Sequence, residues 1–341
     1  MWKEGYNFWP EPIFFAEYGV MGRFMGSIRA IDLFCGAGGS SWGAKCAGVE
    51  IVAGFDMWET AGAVYKDNFP NARFYQGQLE DIKPESLVDE LGRIDLILAS
   101  PECTNHSVAK GNKPRCEESR KTALQVLRFA KVFEPRWIVI ENVSSMRNWS
   151  RYKEFVGDIE KLGYRTRTEL LNAADFGVAQ SRKRLFILCD KEKKPEPVKP
   201  PRRKRRTVQD IIDGNGTYNY SPLRTKKRAK ATLERAKRAI KQVGKRTRFL
   251  IVYYGSDAAG GWQRLDVPLR TITTLDRFAF VKPDRNRYVM RMLQPPELKA
   301  AMGWPKKYKI NHGTRRDKVK LAGNAVCPPV MKYITKNLLK G

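Results

Sequence analysis

The chain has 341 residues, 42% of them hydrophobic, and a formal net charge of +28. That length accommodates one large core plus a second, smaller domain, and no apolar run reaches the roughly 20 residues that span a bilayer, so a soluble protein is expected and a membrane protein excluded. A charge this positive points to a polyphosphate partner, nucleic acid above all, although a membrane surface or a ribosome also suits the number.

The excess is localised: between Lys191 and Arg248 there are about sixteen more basic than acidic residues, so most of the field belongs to one region. Six cysteines are scattered without CxxC spacing, which fits neither a disulfide framework nor a zinc site. Reduced thiols, no metal and a cytoplasmic location are the expectation. Residues 1–27 carry aromatics but lack the basic start and apolar block of a secretory signal, and they are read as an extension without assigned function.

In chain order, Ile28 to Phe34 reads as a strand, Cys35-Gly36-Ala37-Gly38-Gly39-Ser40-Ser41 as a turn, the stretch to Ala47 as a helix, and Ile51 to Asp56 as a second strand. Glycines in such a turn let backbone approach a ligand, and an acid about twenty residues on accepts hydrogen bonds from ribose hydroxyls. Any tight strand-to-helix turn also uses glycines; the acid at that distance favours a cofactor site.

Alternation then continues, with helix at Ala61 to Asn68, strand at Ala72 to Gln76, helix at Pro84 to Leu91 and strand at Ile94 to Ala99. Ser100-Pro101 stops that strand, so Cys103 belongs to the loop just past a buried strand's carboxyl end, where open α/β sheets bind ligands. A thiolate there is a strong nucleophile, whereas a cysteine taken alone is more often a small core residue. A helix from about Glu117 to Phe133 ends at Pro135, and Trp137 to Ile140 reads as a buried strand with Glu141-Asn142-Val143 at its end. An acid there is as often a cap or salt-bridge partner as a chemical group. Arg151 to Leu162 reads as helix, Tyr164 to Leu171 as strand, and Gln180-Ser181-Arg182-Lys183-Arg184 leads into a strand at Leu185 to Cys189, with Arg182 and Arg184 on one side. Repeated βα units predict a doubly wound, mostly parallel α/β sheet with its site along the carboxyl edge.

These stretches, with Asp32-Leu33-Phe34-Cys35-Gly36-Ala37-Gly38-Gly39 first, then Pro101-Glu102-Cys103, Glu141-Asn142-Val143, Gln180 to Arg184 and finally Gly323-Asn324-Ala325-Val326, resemble the S-adenosylmethionine-dependent DNA cytosine-5 methyltransferases. The resemblance runs from about Ile28 to the end of the chain. It implies a Rossmann-like methyltransferase domain at 28–190, completed by 320–341, and a basic target-recognition domain at 191–319. It also implies methylation of carbon 5 of a cytosine flipped out of double-stranded DNA, with no metal and a monomer as the default state. Cys103 would add to carbon 6, Glu141 would support ring nitrogen 3, Arg182 would bind the exocyclic oxygen, and Arg184 would hold Glu141 or the nucleotide. Phe34, Gly36, Gly38 and Gly39 would line the cofactor's methionine and ribose, with Asp56 on the ribose hydroxyls and Met57 against adenine. Asn324 and Ala325 would close the pocket, so Lys332 to Leu339 is expected to be a helix of the first domain.

Two positions depart from the family pattern. Glu102 replaces the proline before the nucleophile, and an unpaired carboxylate there opposes thiolate formation. Gln78-Leu79 replaces an Asp-Ile pair, although a glutamine carbonyl still accepts from an adenine amino group.

In the recognition region, Arg202-Arg203-Lys204-Arg205-Arg206 suits a phosphate-contacting arm, a nuclear address or a solvated tail. Ala229, Leu233, Ala236, Ile240 and Val243 fall at helical spacing among lysines and arginines, which predicts a helix with a basic outer face. Arg270-Thr271-Ile272-Thr273 marks the return, and loops at Tyr253 to Ser256 and Gly260 to Arg264 are candidates for base-edge contact or ordinary turns. The same fold acting on RNA and a catalytically silent DNA-binding homologue are the alternatives. The recognised DNA word and the setting, whether restriction-modification, phage or regulatory, are not encoded legibly.

Overall fold

The first sheet has seven strands in the order β3-β2-β1-β4-β5-β7-β6, in a computed structural model that describes residues 26–101, 122–214, 216–254 and 260–340. Its strands are β1 (Arg29–Leu33), β2 (Glu50–Asp56), β3 (Arg73–Gln76), β4 (Leu96–Ala99), β5 (Trp137–Asn142), β6 (Arg165–Asn172) and β7 (Lys183–Asp190). The first five are parallel, whereas β7 runs antiparallel to both β5 and β6. The link from β6 to β7 covers only residues 173–182, too short for a parallel crossover, which needs a dozen residues or more.

The inner strands β1, β2, β4, β5 and β7 are buried along most of their length because helices cover both faces, whereas the edge strands β3 and β6 are polar and largely unburied. On one face Ala30, Ile51, Leu96, Leu98 and Val139 join residues of α1 (Gly39–Lys45), α2 (Glu59–Asn68) and α9 (Pro328–Leu339). On the other, Ile31, Phe55, Ile97, Ile138 and Ile187 meet α3 (Val88–Leu91), α4 (Gln125–Phe133) and α5 (Tyr152–Lys161). Helix α4 shows why such segments fold: Val126, Phe129 and Ala130 recur at helical spacing and are buried, Phe129 meets Phe55 edge-on at 5.3 Å, and left-handed Glu134 (φ 45°) before Pro135 ends the helix. The expected helix at Pro84 to Leu91 is a 3-10 turn, Pro84–Leu87, followed by the single turn α3. The predicted C-terminal helix is longer than expected and packs on α1, where a Cβ at Gly43 would strike Met331.

A second sheet, in the order β10-β9-β11-β12-β8, was not anticipated. It comprises β8 (Ser221–Pro222), β9 (Phe249–Val252), β10 (Trp262–Gln263), β11 (Phe278–Asp284) and β12 (Arg287–Met292). Phe249 and Ile251 pack beneath α6 (Lys230–Val243), while Leu250, Val252, Phe278 and Phe280 belong to the core of the first sheet. This alternation joins the two sheets through one side of β9. The basic helix forms, but of the expected stripe only Ala236 is buried, Leu233, Ile240 and Val243 are half-buried against it, Ala229 is exposed just before the helix, and Thr232 and Ala239 are buried in addition. Arg291 of β12 and Glu297 of α7 (Pro295–Ala301) make a buried ion pair at 2.7 Å, and Glu297 also accepts the Asp213 N–H, tying the connector from the first sheet to the second. Among the described residues no helix is long and apolar enough to cross a membrane.

Candidate active site

The glycine turn follows β1 and opens α1. Gly36 and Gly38 have φ of 51° and 71°, a region that L side chains rarely enter, and Phe34 beside them is also left-handed at 58°. Gly39 is required by close approach: a Cβ there would collide with the Val326 carbonyl. Behind the turn, Asp32 accepts from Ser41 N at 3.1 Å and Ser41 Oγ at 2.6 Å, and Ser41 Oγ also meets the Tyr65 hydroxyl at 2.8 Å. Burial pushes the Asp32 carboxyl up to about 7, and its Oδ1 has no partner among the described residues.

Asp56 ends β2 beside this turn. It accepts the Gly36 N–H at 2.8 Å and the Trp58 N–H at 2.9 Å, while burial raises its carboxyl and Lys320 acts in the opposite direction. Space is open where Cβ atoms would stand at Gly36 and Gly77. Met57 is 64% exposed, an apolar side chain at the rim of that cradle. Gln78 is exposed and Leu79 buried. A braced carboxylate, a bare glycine backbone and an exposed thioether fit a nucleoside with an aliphatic tail.

Strands β4 and β5 carry the next group. Ser100 donates its N–H to the Leu33 carbonyl at 3.1 Å, and the Asn142 amide donates to the Pro101 carbonyl at 3.2 Å, so the strand leading to Cys103 is fastened to both neighbours. Cys103 and Glu102 lie outside the described residues. Of the four described cysteines, Cys35, Cys189 and Cys327 are buried and Cys46 is half-buried. Burial raises every one of these thiols, Cys46 and Cys327 to about 11, so none of the four is an activated nucleophile.

Glu141 is buried at the end of β5, and Arg184 Nε of the antiparallel neighbour β7 stands 3.1 Å from its carboxylate. The antiparallel insertion explains the meeting, since it brings the start of β7 to the same edge as the ends of β1, β2, β4 and β5. Burial raises the Glu141 carboxyl; Arg184 and, less strongly, Arg182 oppose that rise.

Arg182 is held by backbone. Its guanidinium, on a side chain in a residue only 3% exposed, donates to the Ile272 carbonyl at 3.0 Å and the Gly323 carbonyl at 2.7 Å. At the position expected to bind an exocyclic oxygen, both terminal nitrogens bond to backbone carbonyls, and Arg184 is the guanidinium beside Glu141.

Asn324 ends α8 (Arg315–Asn324) and is exposed, with Ala325 buried next to it. The return to the first core begins before residue 320, because the Tyr308 hydroxyl donates to the Ala37 carbonyl and its ring stacks on Trp304 at 5.4 Å. Sequence reasoning missed Tyr308, and it also missed Lys320, whose ammonium sits 4.2 Å from the centroid of Trp58. Both act across more than two hundred residues of sequence, a separation that no local pattern encodes. Asn142 was visible within Glu141-Asn142-Val143 without a role. Among the described residues no group of three His, Cys, Asp or Glu side chains is placed to hold a metal.

A family model described as C-5 cytosine-specific DNA methylase matches residues 28–340. The chain is 26% identical over 343 residues to the type II methyltransferase M.FnuDI of Fusobacterium nucleatum, covering 92% of this chain and 94% of that protein. It is 34% identical over 178 residues to the type II methyltransferase M.DdeI of Desulfomicrobium norvegicum, covering 49% of this chain and 42%, less than half, of that relative. Among solved structures, the Entamoeba histolytica methyltransferase EhMeth superposes with a TM-score of 0.69 at 17% identity, over 93% of this chain and 99% of that one. A putative DNA modification methyltransferase encoded within an E. coli prophage superposes with a TM-score of 0.67 at 20% identity, over 92% and 100%. At such identities the two structures speak for the Rossmann-like methyltransferase fold alone.

Proposed function

The chain belongs to the C-5 cytosine-specific DNA methylase family, and on that premise we propose that it transfers a methyl group from S-adenosylmethionine to carbon 5 of a cytosine flipped out of duplex DNA. The observation that carries this reading is the pair of buried Glu141 and half-buried Arg184, 3.1 Å apart, on the same sheet edge as the glycine turn, Asp56 and the strand that leads to Cys103.

When bound, S-adenosylmethionine supplies an electrophilic methyl on a sulfonium sulfur. Phe34, Gly36, Gly38, Gly39, Asp56, Met57, Gln78, Leu79, Asn324 and Ala325 are the residues assigned to hold it. The chain's own chemistry begins with Cys103. Its thiolate forms a bond to carbon 6 of cytosine, the 5,6 double bond opens, and the electron pair becomes available at carbon 5. Ring nitrogen 3 gains electron density as this happens, and Glu141, whose raised carboxyl retains a proton to higher pH, supplies a hydrogen bond or a proton there. Arg184 orients Glu141 and offers donors to the base's oxygen. After carbon 5 has taken the methyl, a base removes its proton, the double bond reforms and Cys103 leaves as thiolate.

The second sheet with α6 is assigned as the target-recognition unit, since Lys230, Arg235, Lys237, Arg238 and Lys241 give that helix its basic character and phosphates are its natural partner. A purified sample offered methyl-labelled S-adenosylmethionine, unmethylated duplex DNA and total RNA tests the reading. Label recovered as 5-methylcytosine in DNA is the expected result. Label in RNA alone, or on exocyclic amino groups, contradicts it.

A further inference from the structure

The stretch 179–182, which feeds into β7, is zipped to 269–272, which returns from the second sheet. Leu269 N–H donates to the Ala179 carbonyl at 2.9 Å and Ser181 N–H to the Leu269 carbonyl at 2.7 Å, forming a parallel bridge between Gln180 and Leu269. The Thr271 hydroxyl donates to the Ser181 carbonyl at 3.0 Å, and Ile272 N–H donates to Gln180 Oε1 at 2.8 Å. Two backbone–backbone bonds and two side-chain–backbone bonds make this seam, so displacement of one strand is passed to the other.

Arg182 sits at the end of the seam and reaches a third unit. One terminal nitrogen holds the Ile272 carbonyl of the recognition segment, and the other holds the Gly323 carbonyl, one residue before Asn324-Ala325. Packing there leaves no slack: a Cβ at Gly323 would collide with the Thr273 carbonyl, and one at Gly39 with the Val326 carbonyl. Two residues beyond Arg182 along the chain, Arg184 holds Glu141. One buried guanidinium thus stands where the recognition segment, the segment closing over the glycine turn and the strand bearing Arg184 meet.

Resting on the function proposed above, we propose that Arg182 is a positioning residue that couples duplex binding by the second sheet to closure of the cofactor site. Because the guanidinium is planar and carries its donors in a fixed fork, it holds two carbonyls at a set separation, which a lysine ammonium cannot do. A duplex that moves the 269–272 segment then moves the Gly323 segment with it. By linkage, cofactor binding favours the duplex-engaged arrangement by the same factor.

The test is equilibrium binding of S-adenosylhomocysteine, measured by calorimetry with and without saturating sheared, unmethylated genomic DNA. In the intact chain DNA is expected to tighten S-adenosylhomocysteine binding by at least about fivefold, the lower end of ordinary coupling. In Arg182→Met and Arg182→Lys that ratio is expected to fall to near one, with affinity in the absence of DNA within about threefold of the intact chain. A merely structural role would weaken binding without DNA and leave the ratio standing, which overturns the proposal. Thr271→Val removes one seam bond. It is expected to reduce the ratio by about half or more even if the arginine variants fail to fold, and an unchanged ratio there overturns the coupling. A ratio of one in the intact chain also overturns it, whereas an intact chain that binds no S-adenosylhomocysteine overturns the functional reading itself.

Discussion

The two sheets use arginine and acid in opposite ways. In the first, Glu141 and Arg184 meet at the sheet's carboxyl edge, Glu141 buried and Arg184 partly exposed. In the second, Arg291 and Glu297 are both 2% exposed and doubly hydrogen-bonded, and the arginine is enclosed by Tyr218, Tyr220 and Phe280. The first pair lies on the edge to which the proposed chemistry is assigned; the second is enclosed and ties β12 to α7. Position on the sheet, rather than the residue types, separates the two uses.

The largest expected effect breaks the first pair. Glu141→Gln keeps the shape but removes the ionisable proton, and methyl transfer should drop by roughly 10²–10⁴-fold, the usual scale for a general acid. In the intact chain the rate should decline as pH rises past the elevated Glu141 pKa, and the pH profile of the residual Glu141→Gln activity should lack that limb. Breaking the second pair should act on stability instead. Arg291→Met leaves Glu297 buried and unpaired, which costs about 3–5 kcal/mol and is readable as a lowered urea midpoint.

Between these lies Asp32, a buried acid behind the glycine turn. Its carboxyl sits at about 7 in the fold against 3.8 for an ordinary aspartate, so the folded state binds the extra proton. The associated stability is fully present below the unfolded pKa and is lost as pH rises through about 7, up to about 4 kcal/mol in all. Urea midpoints taken from pH 4 to pH 8 should fall in the intact chain and flatten in Asp32→Asn. The smallest effect concerns the basic helix. Duplex binding should weaken steeply with salt, and if Lys241 contacts a phosphate, Lys241→Gln should reduce the log–log slope by about 0.9. An unchanged slope removes that residue from the docking surface.

The first sheet was legible in the sequence because its chemistry constrains residue types locally. Glycines before α1, an acid closing β2, and Glu141 directly after an apolar strand each mark their own position. The second sheet was hidden because β9, Phe249-Leu250-Ile251-Val252, is buried on both faces and shows no alternation, while β8 and β10 are two residues long. Within the site, the meeting of Glu141 with Arg184 could be expected from the resemblance, but the engagement of Arg182 with two carbonyls could not. Backbone carbonyls at Ile272 and Gly323 carry no signature in a sequence, and the antiparallel turn of β7 that positions both arginines depends on the shortness of a loop.

Central to this account is that Cys103 works with the Glu141–Arg184 edge to methylate carbon 5 of cytosine in DNA. Its most direct test is bisulfite sequencing of the genome of a host lacking cytosine methylation, expressing either the intact chain or Cys103→Ala. Protected cytosines confined to one short word with the intact chain, and none with the variant, are predicted. Protection that persists in Cys103→Ala contradicts the nucleophile assignment, and no protection from soluble intact protein contradicts the proposed reaction on DNA.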